Sequence, residues 1–490
     1  MKMMAETRNL RYFIISILLF TAGTTFSQGY RISLDAPDFA GQDVILAEYF
    51  TGRMVPKDTA AISLTGKAVF AGEKAFDGGL YVIFFNQNYY FDFMMDKDQE
   101  FAIKTDSSDL ATKTKYSGSE INELFYTYKN YLAAQRTRRS AYESSLTAAG
   151  SKADSTRIMD QMKALDKETG EIVEKMIEAN PDTFFATFLL AMKEKRAPEE
   201  LLTGTKHQQD STRYVYYKNH YFDNFDVSDI RLLHTPIYEP KINTYIGRVV
   251  PQHPDSLIHA VDMLIGKSRA DEDIFRYMLI TLFNHFAESK MMGMDKVYFH
   301  IAEQYYLPEA TWSSEDFLTK LKENLDKSKG TFIGETAPDF ELKGIPAEHF
   351  QMAEMDTAIK QDPHVGYNFM LSQVSAEYTI LYFWESDCGH CQKSTPKLYE
   401  VFQKYKEQQV QVVAVHVINS VEGKVEWVDF VNEHQLYEWI NCWSPYKNDF
   451  RQMYNLQSFP QLFLLDKEKK IIAKSLSPEQ ADDILNRFLN

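Results

Sequence analysis

The stretch Thr379-Ile-Leu-Tyr-Phe-Trp-Glu-Ser-Asp-Cys388-Gly-His-Cys391 decides the fold of the last part of this 490-residue chain. Its first half is a run of β-branched and aromatic residues, which predicts a buried strand. Residues 392–408 then carry apolar side chains at helical spacing, which predicts an amphipathic helix with both cysteines in its first turn. The stretch should therefore deliver two thiols to the carboxyl end of a strand and the amino end of a helix.

The spacing of Cys388 and Cys391 suits thiol–disulfide exchange. The free N–H groups and the positive dipole end of a helix stabilise a thiolate at Cys388, and the thiolate is the species that attacks a disulfide. Cys391, one helical turn on, can then attack the mixed disulfide and release the client. Half of a zinc site and two buried structural thiols are the alternatives. Zinc needs four ligands, and no second Cys or His pair stands nearby in the sequence.

Length and composition predict several domains and limit the partners. A chain of 490 residues exceeds one ordinary core. The formal net charge is −16 and no long basic run interrupts it, which argues against nucleic acid as the main partner. Cys442 is the third and last cysteine, whereas a secreted chain stabilised by disulfides would spread more of them through its domains. We interpret Cys442 as a buried small apolar residue.

Residues 1–27 have the order of a secretory signal peptide. Three basic residues precede an apolar run from Tyr12 to Phe20, and small residues lead to a cleavage point near Ser27. The apolar run is short for a membrane span of about 20 residues, and an uncleaved membrane anchor is the alternative. We therefore expect an exported, periplasmic protein.

Two domains are predicted ahead of the cysteine pair. Residues 28–116 contain short strand-like runs separated by Gly, Asn and Asp turns, which predicts an all-β, antiparallel sandwich or small barrel. Residues 117–329 change to helical spacing, with an antiparallel hairpin first and a flexible linker expected at Asp326–Gly330. Residues 330–490 read as strand, helix, strand, helix, hairpin and helix, the order of an α/β domain with a mixed sheet covered on both faces.

Several features of residues 330–490 resemble the thioredoxin fold. They are Trp384, the quartet Cys388-Gly-His-Cys391, Pro396 after the second cysteine, and Ser458-Phe459-Pro460 before the third long strand. More narrowly, Gly334-Glu-Thr-Ala-Pro-Asp-Phe and Phe463-Leu-Leu-Asp466 resemble the secreted TlpA/ResA-like branch. The upstream β and helical domains are similar to uncharacterised modules that precede such domains in secreted Bacteroidota proteins.

The resemblance implies a thiol-disulfide oxidoreductase acting on protein clients. Cys388 and Cys391 would be catalytic, with Trp384 and Gly389 as supporting motif residues. Pro460 would be a cis-proline that presents backbone to the client chain. The only redox group would be the disulfide of the two cysteines, with no cofactor and no metal. A membrane-linked or soluble thiol partner would exchange electrons with it.

Three ionisable residues, His390, Glu385 and Asp387, are expected to tune the cysteine pair. An imidazolium at His390 favours the thiolate of the reduced form, whereas the carboxylates of Glu385 and Asp387 disfavour it. Where thioredoxins carry a buried acid two residues before the motif tryptophan, this chain has Tyr382. Either Glu385 or water would then accept the proton of Cys391, or turnover would be slower than in the general reductases of the family. The quartet also resembles that of protein disulfide isomerase, so the direction of electron flow stays open.

Two other classes of function are alternatives to this one. The first is a client-binding or assembly module in which the redox pair is a regulatory latch. The second is a thiol peroxidase, because the opening Ala337-Pro-Asp-Phe is shared with peroxiredoxins, although their Pro-x-x-x-Thr-x-x-Cys pattern is absent. The helix-spaced pairs His285 with Glu288 and His300 with Glu303 are interpreted as surface pairs and not as metal ligands.

Overall fold

The computed structural model describes residues 29–289, 291–328, 330–353, 357–362, 364–443 and 449–489. The predicted signal peptide, residues 1–27, lies outside them. The chain divides into two compact units, Met1–Ile242 and Asn243–Asn490, and each is described by itself. The division falls within the stretch that the sequence analysis treats as one helical domain.

The first unit opens with two four-stranded sheets that share one core. Their strands are β1 Tyr30–Asp35, β2 Asp43–Phe50, β3 Arg53–Ala61, β4 Lys67–Gly72, β5 Gly79–Asn86, β6 Tyr89–Met95, β7 Glu100–Lys104 and β8 Lys115–Ser117. The strand orders are β4-β1-β7-β8 and β3-β2-β5-β6. Alternating side chains from both sheets, such as Ile32 and Phe93, are fully buried between them. The predicted sandwich is confirmed, except that β1 and β7 pair in parallel.

Helices complete the first unit. They are α1 Leu110–Lys113, α2 Glu120–Thr147, α3 Lys152–Ala179, α4 Phe184–Ala191, α5 Lys206–Asn219, α6 Ile230–Leu233 and α7 Tyr238–Thr244, the last of which crosses the division. Helices α2 and α3 form the predicted antiparallel hairpin, and Arg138 on α2 binds Glu168 on α3 at 2.9 Å. The Ser151 side chain caps α3 by accepting the backbone N–H of Asp154.

The second unit begins with further helices. They are α8 Pro254–Ser268, α9 Glu272–Ala287, α10 Met294–Ile301, α11 Leu307–Glu309 and α12 Glu315–Ser328. Helix α12 continues to Ser328 because Leu321 and Leu325 bury one face of it. The linker prediction was therefore wrong for Asp326–Ser328, which are helical. None of the helices in the described part of the chain is long and apolar enough to cross a membrane.

A seven-stranded mixed sheet forms the rest of the second unit. Its strands are β9 Glu341–Gly344, β10 Tyr367–Met370, β11 Tyr378–Trp384, β12 Val410–His416, β13 Ile440–Trp443, β14 Gln461–Leu465 and β15 Ile471–Lys474, in the order β10-β9-β13-β12-β11-β14-β15. Its helices are α13 Ala347–Ala353, α14 Thr357–Gln361, α15 Gly389–Tyr405, α16 Val421–Glu433, α17 Asp449–Met453 and α18 Pro478–Leu489. Strands β11, β12 and β13 run parallel.

Strand β11 is the central strand that positions the cysteines. Tyr382 and Trp384 lie in the core on one face of the sheet, and Leu381 and Phe383 lie in the core on the other. This two-sided burial explains why β11 is an almost continuous apolar run. The predicted α/β domain with both faces covered is confirmed, and so is the multidomain fold class.

Candidate active site

Cys388 and Cys391 lie at the start of α15, directly after the turn that follows β11. Cys388 is the N-cap residue and is half-buried, whereas Cys391 is fully buried. The Cys388 Sγ atom faces the backbone carbonyl oxygen of Phe459 at 3.6 Å. An alanine side chain would fit at Gly389, where an added Cβ would meet no atom within 4 Å. One thiol is thus open to a partner and the other is held behind it.

Burial controls the protonation of Cys391. Burial raises the pKa of the Cys391 thiol far above its ordinary value, and a hydrogen bond with the backbone of Glu385 only partly opposes this effect. The neighbouring Cys388 thiol and the Glu385 carboxylate raise the pKa further. Cys391 therefore keeps its proton at neutral pH and needs an acceptor for it before it can attack.

Tyr382 occupies the place where thioredoxins carry an acid. Its ring is buried and stacked with Trp384 at 6.2 Å, and its hydroxyl lies 3.0 Å from Thr395 Oγ1. Burial raises the pKa of Tyr382 above its ordinary value, and the hydrogen bond with Thr395 only partly opposes this. A phenol that holds its proton cannot accept one from Cys391, so Tyr382 does not replace the missing carboxylate.

Glu385 has a partner that the sequence analysis did not identify. Arg451 on α17 places Nη2 at 3.3 Å from Glu385 Oε1, and its guanidinium lies over the Phe459 ring at 5.0 Å. Arg451 therefore partly neutralises the Glu385 carboxylate and weakens the unfavourable effect that Glu385 was expected to have on the thiolate. His390 itself is exposed to solvent on the first turn of α15.

The Phe459–Pro460 peptide bond is cis, as the resemblance implied. Pro460 immediately precedes β14, next to the carbonyl group that faces Cys388. A groove with a volume of about 1020 Å³ runs beside this segment within the second unit, and its lining includes Gln457, Gln461 and Phe332.

His416, the last residue of β12, is a site residue that the sequence analysis missed. It is almost fully buried, and its Nε2 atom accepts a hydrogen bond from the backbone N–H of Ser386 at 3.2 Å. Burial lowers the pKa of His416 to about 3, and the backbone of Ile418 only partly opposes the shift. No local pattern in Val410–His416 distinguishes this histidine from an ordinary strand residue, because its partner lies 30 positions away.

Acid should destabilise the second unit through His416. An unfolded chain protonates this histidine below pH of about 6.5, whereas the folded state keeps it neutral down to about 3. Stability should therefore fall as pH drops through this window, by about 2 kcal/mol at pH of about 5. All five tryptophans lie in residues 312–443, so tryptophan fluorescence during urea unfolding follows this unit. The comparison is with His416→Gln, which does not titrate; an identical pH dependence in both proteins would contradict the expectation.

The remaining candidates lie apart from the cysteine pair. Cys442 is buried in β13 among side chains of the opposite face of the sheet from Cys391. His300 Nε2 lies 2.6 Å from Asp262 Oδ1, which also accepts the hydroxyl of Tyr305 at 2.8 Å. Across the described ranges, no group of three or more His, Cys, Asp or Glu residues is arranged to hold a metal ion.

Comparison with known proteins agrees with the thioredoxin-like fold of the second unit. Residues 376–471 match the family described as thioredoxin-like, and residues 30–125 and 203–329 match two domains of unknown function. The sporulation thiol-disulfide oxidoreductase A of Bacillus subtilis is 27% identical over 22% of this chain and 63% of its own length. The thiol-disulfide oxidoreductase ResA of Oceanobacillus iheyensis is 31% identical over 23% of this chain and 48% of its own length.

Two solved structures of bacterial proteins are also similar to parts of the chain. A domain of a possible thiol-disulfide isomerase from Cytophaga hutchinsonii is 32% identical, covering 33% of this chain and 95% of that one, with a TM-score of 0.27. A thioredoxin-like protein from Bacteroides caccae is 20% identical, covering 60% of this chain and 98% of that one, with a TM-score of 0.41.

The sheet order, the cysteine turn and the family match define a protein with a thioredoxin-like domain. More narrowly, this part of the chain is similar to ResA thiol-disulfide oxidoreductases, and two stretches upstream of it match domains of unknown function. It spans only 63% and 48% of the length of the two curated relatives described above.

Proposed function

We propose that this protein is an exported thiol-disulfide oxidoreductase that exchanges disulfides with protein clients through Cys388 and Cys391. The half-buried Cys388 thiol at the amino end of α15, with the fully buried Cys391 behind it, carries the proposal. A client can reach only the first thiol, so attack falls to Cys388 and release falls to Cys391. The thioredoxin-like family match and the oxidoreductase relatives support this function.

The exchange proceeds in two balanced steps. The Cys388 thiolate attacks one sulfur of a client disulfide, forms a mixed disulfide and expels the first client thiolate. Cys391 then loses its proton and attacks the Cys388 sulfur, which forms the Cys388–Cys391 disulfide and expels the second client thiolate. A thiol redox partner, membrane-linked or soluble, restores the pair, and the same steps run in reverse when the protein oxidises a client. The two sulfurs carry the electrons, so no cofactor takes part.

Export and client choice belong to the same proposal. The signal-peptide pattern of residues 1–27 supports a periplasmic location. The β-sandwich and the helices ahead of the sheet would hold or select clients, as modules beside a catalytic domain can do.

Trapping of the mixed disulfide tests the function. In a Cys442→Ala background, Cys391→Ser should accumulate covalent complexes with periplasmic proteins, because the second step is blocked after Cys388 has attacked. The complexes should dissociate on addition of reductant, and gel electrophoresis without reductant measures them. The matched control is the further substitution Cys388→Ser, which should remove every complex. If Cys391→Ser forms none, and the wild-type protein does not exchange with a peptide disulfide, the proposed function is wrong.

A further inference from the structure

The turn between β11 and α15 is poorly fixed by its own backbone. Its internal hydrogen bond, from the N–H of Cys388 to the carbonyl of Glu385, is long at 3.4 Å. Ser386, in the middle of this turn, is nevertheless buried. A buried backbone N–H and hydroxyl need partners, and for Ser386 these partners come from other elements.

His416 supplies the first of these partners. Strands β11 and β12 place it directly opposite Trp384, where β11 ends. Its Nε2 atom accepts the N–H of Ser386 at 3.2 Å and lies 3.1 Å from Ser386 Oγ. The neutral ring therefore carries its proton on Nδ1, since Nε2 acts as the acceptor.

The imidazole is held rigidly, so the turn it binds is held as well. The ring stacks on Trp427 with centroids 5.6 Å apart and an interplanar angle of 21°. It meets Trp384 edge-on, with centroids 5.5 Å apart. Two indoles thus fix the direction in which Nε2 points, and a packed ring has few other rotamers available.

Helix α15 also binds Ser386, through the side chain of Gln392. Gln392 donates from Nε2 to the carbonyl oxygen of Ser386 at 3.0 Å, and its backbone N–H donates to the carbonyl of Cys388 at 2.9 Å. Ser386 is therefore bound from β12 on one side and from the first turn of α15 on the other. The residue two positions before Cys388 cannot shift without breaking one of these contacts.

We propose that His416 is a positioning residue for the redox reaction: by binding Ser386 it fixes Cys388 at the amino end of α15 and thereby stabilises the Cys388 thiolate. The inference rests on the proposed function of the cysteine pair. The helix dipole and the free N–H groups act only within the first turn, so a small displacement of Cys388 weakens them. A less stable thiolate disfavours the reduced pair and slows attack on a client.

Two amide substitutions separate this role from simple packing. His416→Gln keeps a hydrogen-bond acceptor near the position of Nε2, whereas His416→Asn reaches only the position of Nδ1 and cannot bind Ser386. Val412→Ala is the stability control. Val412 is fully buried in β12, on the same face of the sheet as His416. It lies four residues before His416, away from the turn that contains Ser386. It should lower stability without moving Cys388.

The experiment uses the full chain and has two readouts. One is the equilibrium of the Cys388–Cys391 pair with glutathione, and the other is the rate at which iodoacetamide alkylates Cys388 at neutral pH. His416→Asn should shift the equilibrium about tenfold toward the disulfide, equivalent to about 30 mV, and slow alkylation to a similar extent. His416→Gln should recover most of both changes, and Val412→Ala should match the wild-type protein.

The outcomes distinguish the inference from the proposed function. If the wild-type pair exchanges with glutathione but His416→Asn stays within about twofold of it in both readouts, the positioning role is wrong. It is also wrong if Val412→Ala changes both readouts as strongly as His416→Asn, because the effect would then be general destabilisation. A wild-type pair that does not exchange at all contradicts the proposed function itself, whatever the His416 variants do.

Discussion

Replacing Glu385 by glutamine should slow the release of a client from its mixed disulfide about a hundredfold near neutral pH. Burial makes Cys391 hold its proton, and Tyr382 cannot accept it. Glu385 is an acid that acts on Cys391: its backbone lowers the pKa of the thiol and its carboxylate raises it. We therefore expect this carboxylate to accept the proton, directly or through one water molecule.

The direction in which Glu385→Gln changes the release rate distinguishes a role in proton transfer from a purely electrostatic role. Removing the negative charge of Glu385 lowers the pKa of Cys391, so charge alone would make the variant faster. Only the loss of a proton acceptor makes it slower. The difference in release rate between the wild-type protein and Glu385→Gln should become smaller as pH rises, because hydroxide and water then remove the proton of Cys391 without help.

A preformed mixed disulfide between Cys388 and a chromogenic thiol measures this step alone. The rate at which the chromogenic thiol is released is followed against pH in the wild-type protein and in Glu385→Gln. Asp387→Asn is the matched control, since it removes an equal charge two residues away from an exposed position. Equal release rates in Glu385→Gln and the wild-type protein would show that water accepts the proton instead.

Local patterns were enough to predict the elements that carry the cysteines. The apolar run ending at Trp384 predicted β11, and the helical spacing after Cys391 predicted α15, because each element buries side chains at its own period. The cis bond before Pro460 was implied only by resemblance, since nothing in the residues around a proline specifies its isomer. The catalytic roles of Cys388 and Cys391 remain predictions that the trapping experiment tests.

The contacts that surround the cysteines were not predictable in the same way. Arg451 is 66 positions from Glu385, and His416 is 30 positions from Ser386. Such pairs meet only after the sheet has formed, and they leave no periodic signal in the chain. The strands β9, β10 and β13 escaped detection for a different reason: each has four residues, too few to show alternation.

The largest stability effect in the first unit should come from Glu48→Ala. Glu48 lies in β2 and is only 4% exposed, yet it is charged. Lys57 Nζ lies 2.7 Å from one carboxylate oxygen, and His234 Nδ1 lies 3.4 Å from the other. Burial alone would raise the pKa of Glu48, but its interactions with His234 and Lys57 outweigh burial and hold the pKa below its ordinary value.

Removing this carboxylate should cost about 3–5 kcal/mol of unfolding free energy at neutral pH, because the buried imidazole of His234 and the Lys57 ammonium lose their partner. Circular dichroism during urea unfolding measures the loss. Tryptophan fluorescence reports on the second unit, where all five tryptophans lie, and is recorded alongside. Glu168→Ala, which removes an exposed partner of Arg138 in the same unit, should leave the transition where it is.

The pH dependence gives the same cluster a second test. A carboxylate whose pKa is depressed by folding stabilises the folded state above its unfolded pKa of about 4.3, and this contribution is lost as pH falls further. The difference in unfolding free energy between the wild-type protein and Glu48→Ala should therefore be largest at neutral pH and become smaller below pH of about 4. A constant difference at every pH would mean that lost packing, and not the buried charge, accounts for the stability of this cluster.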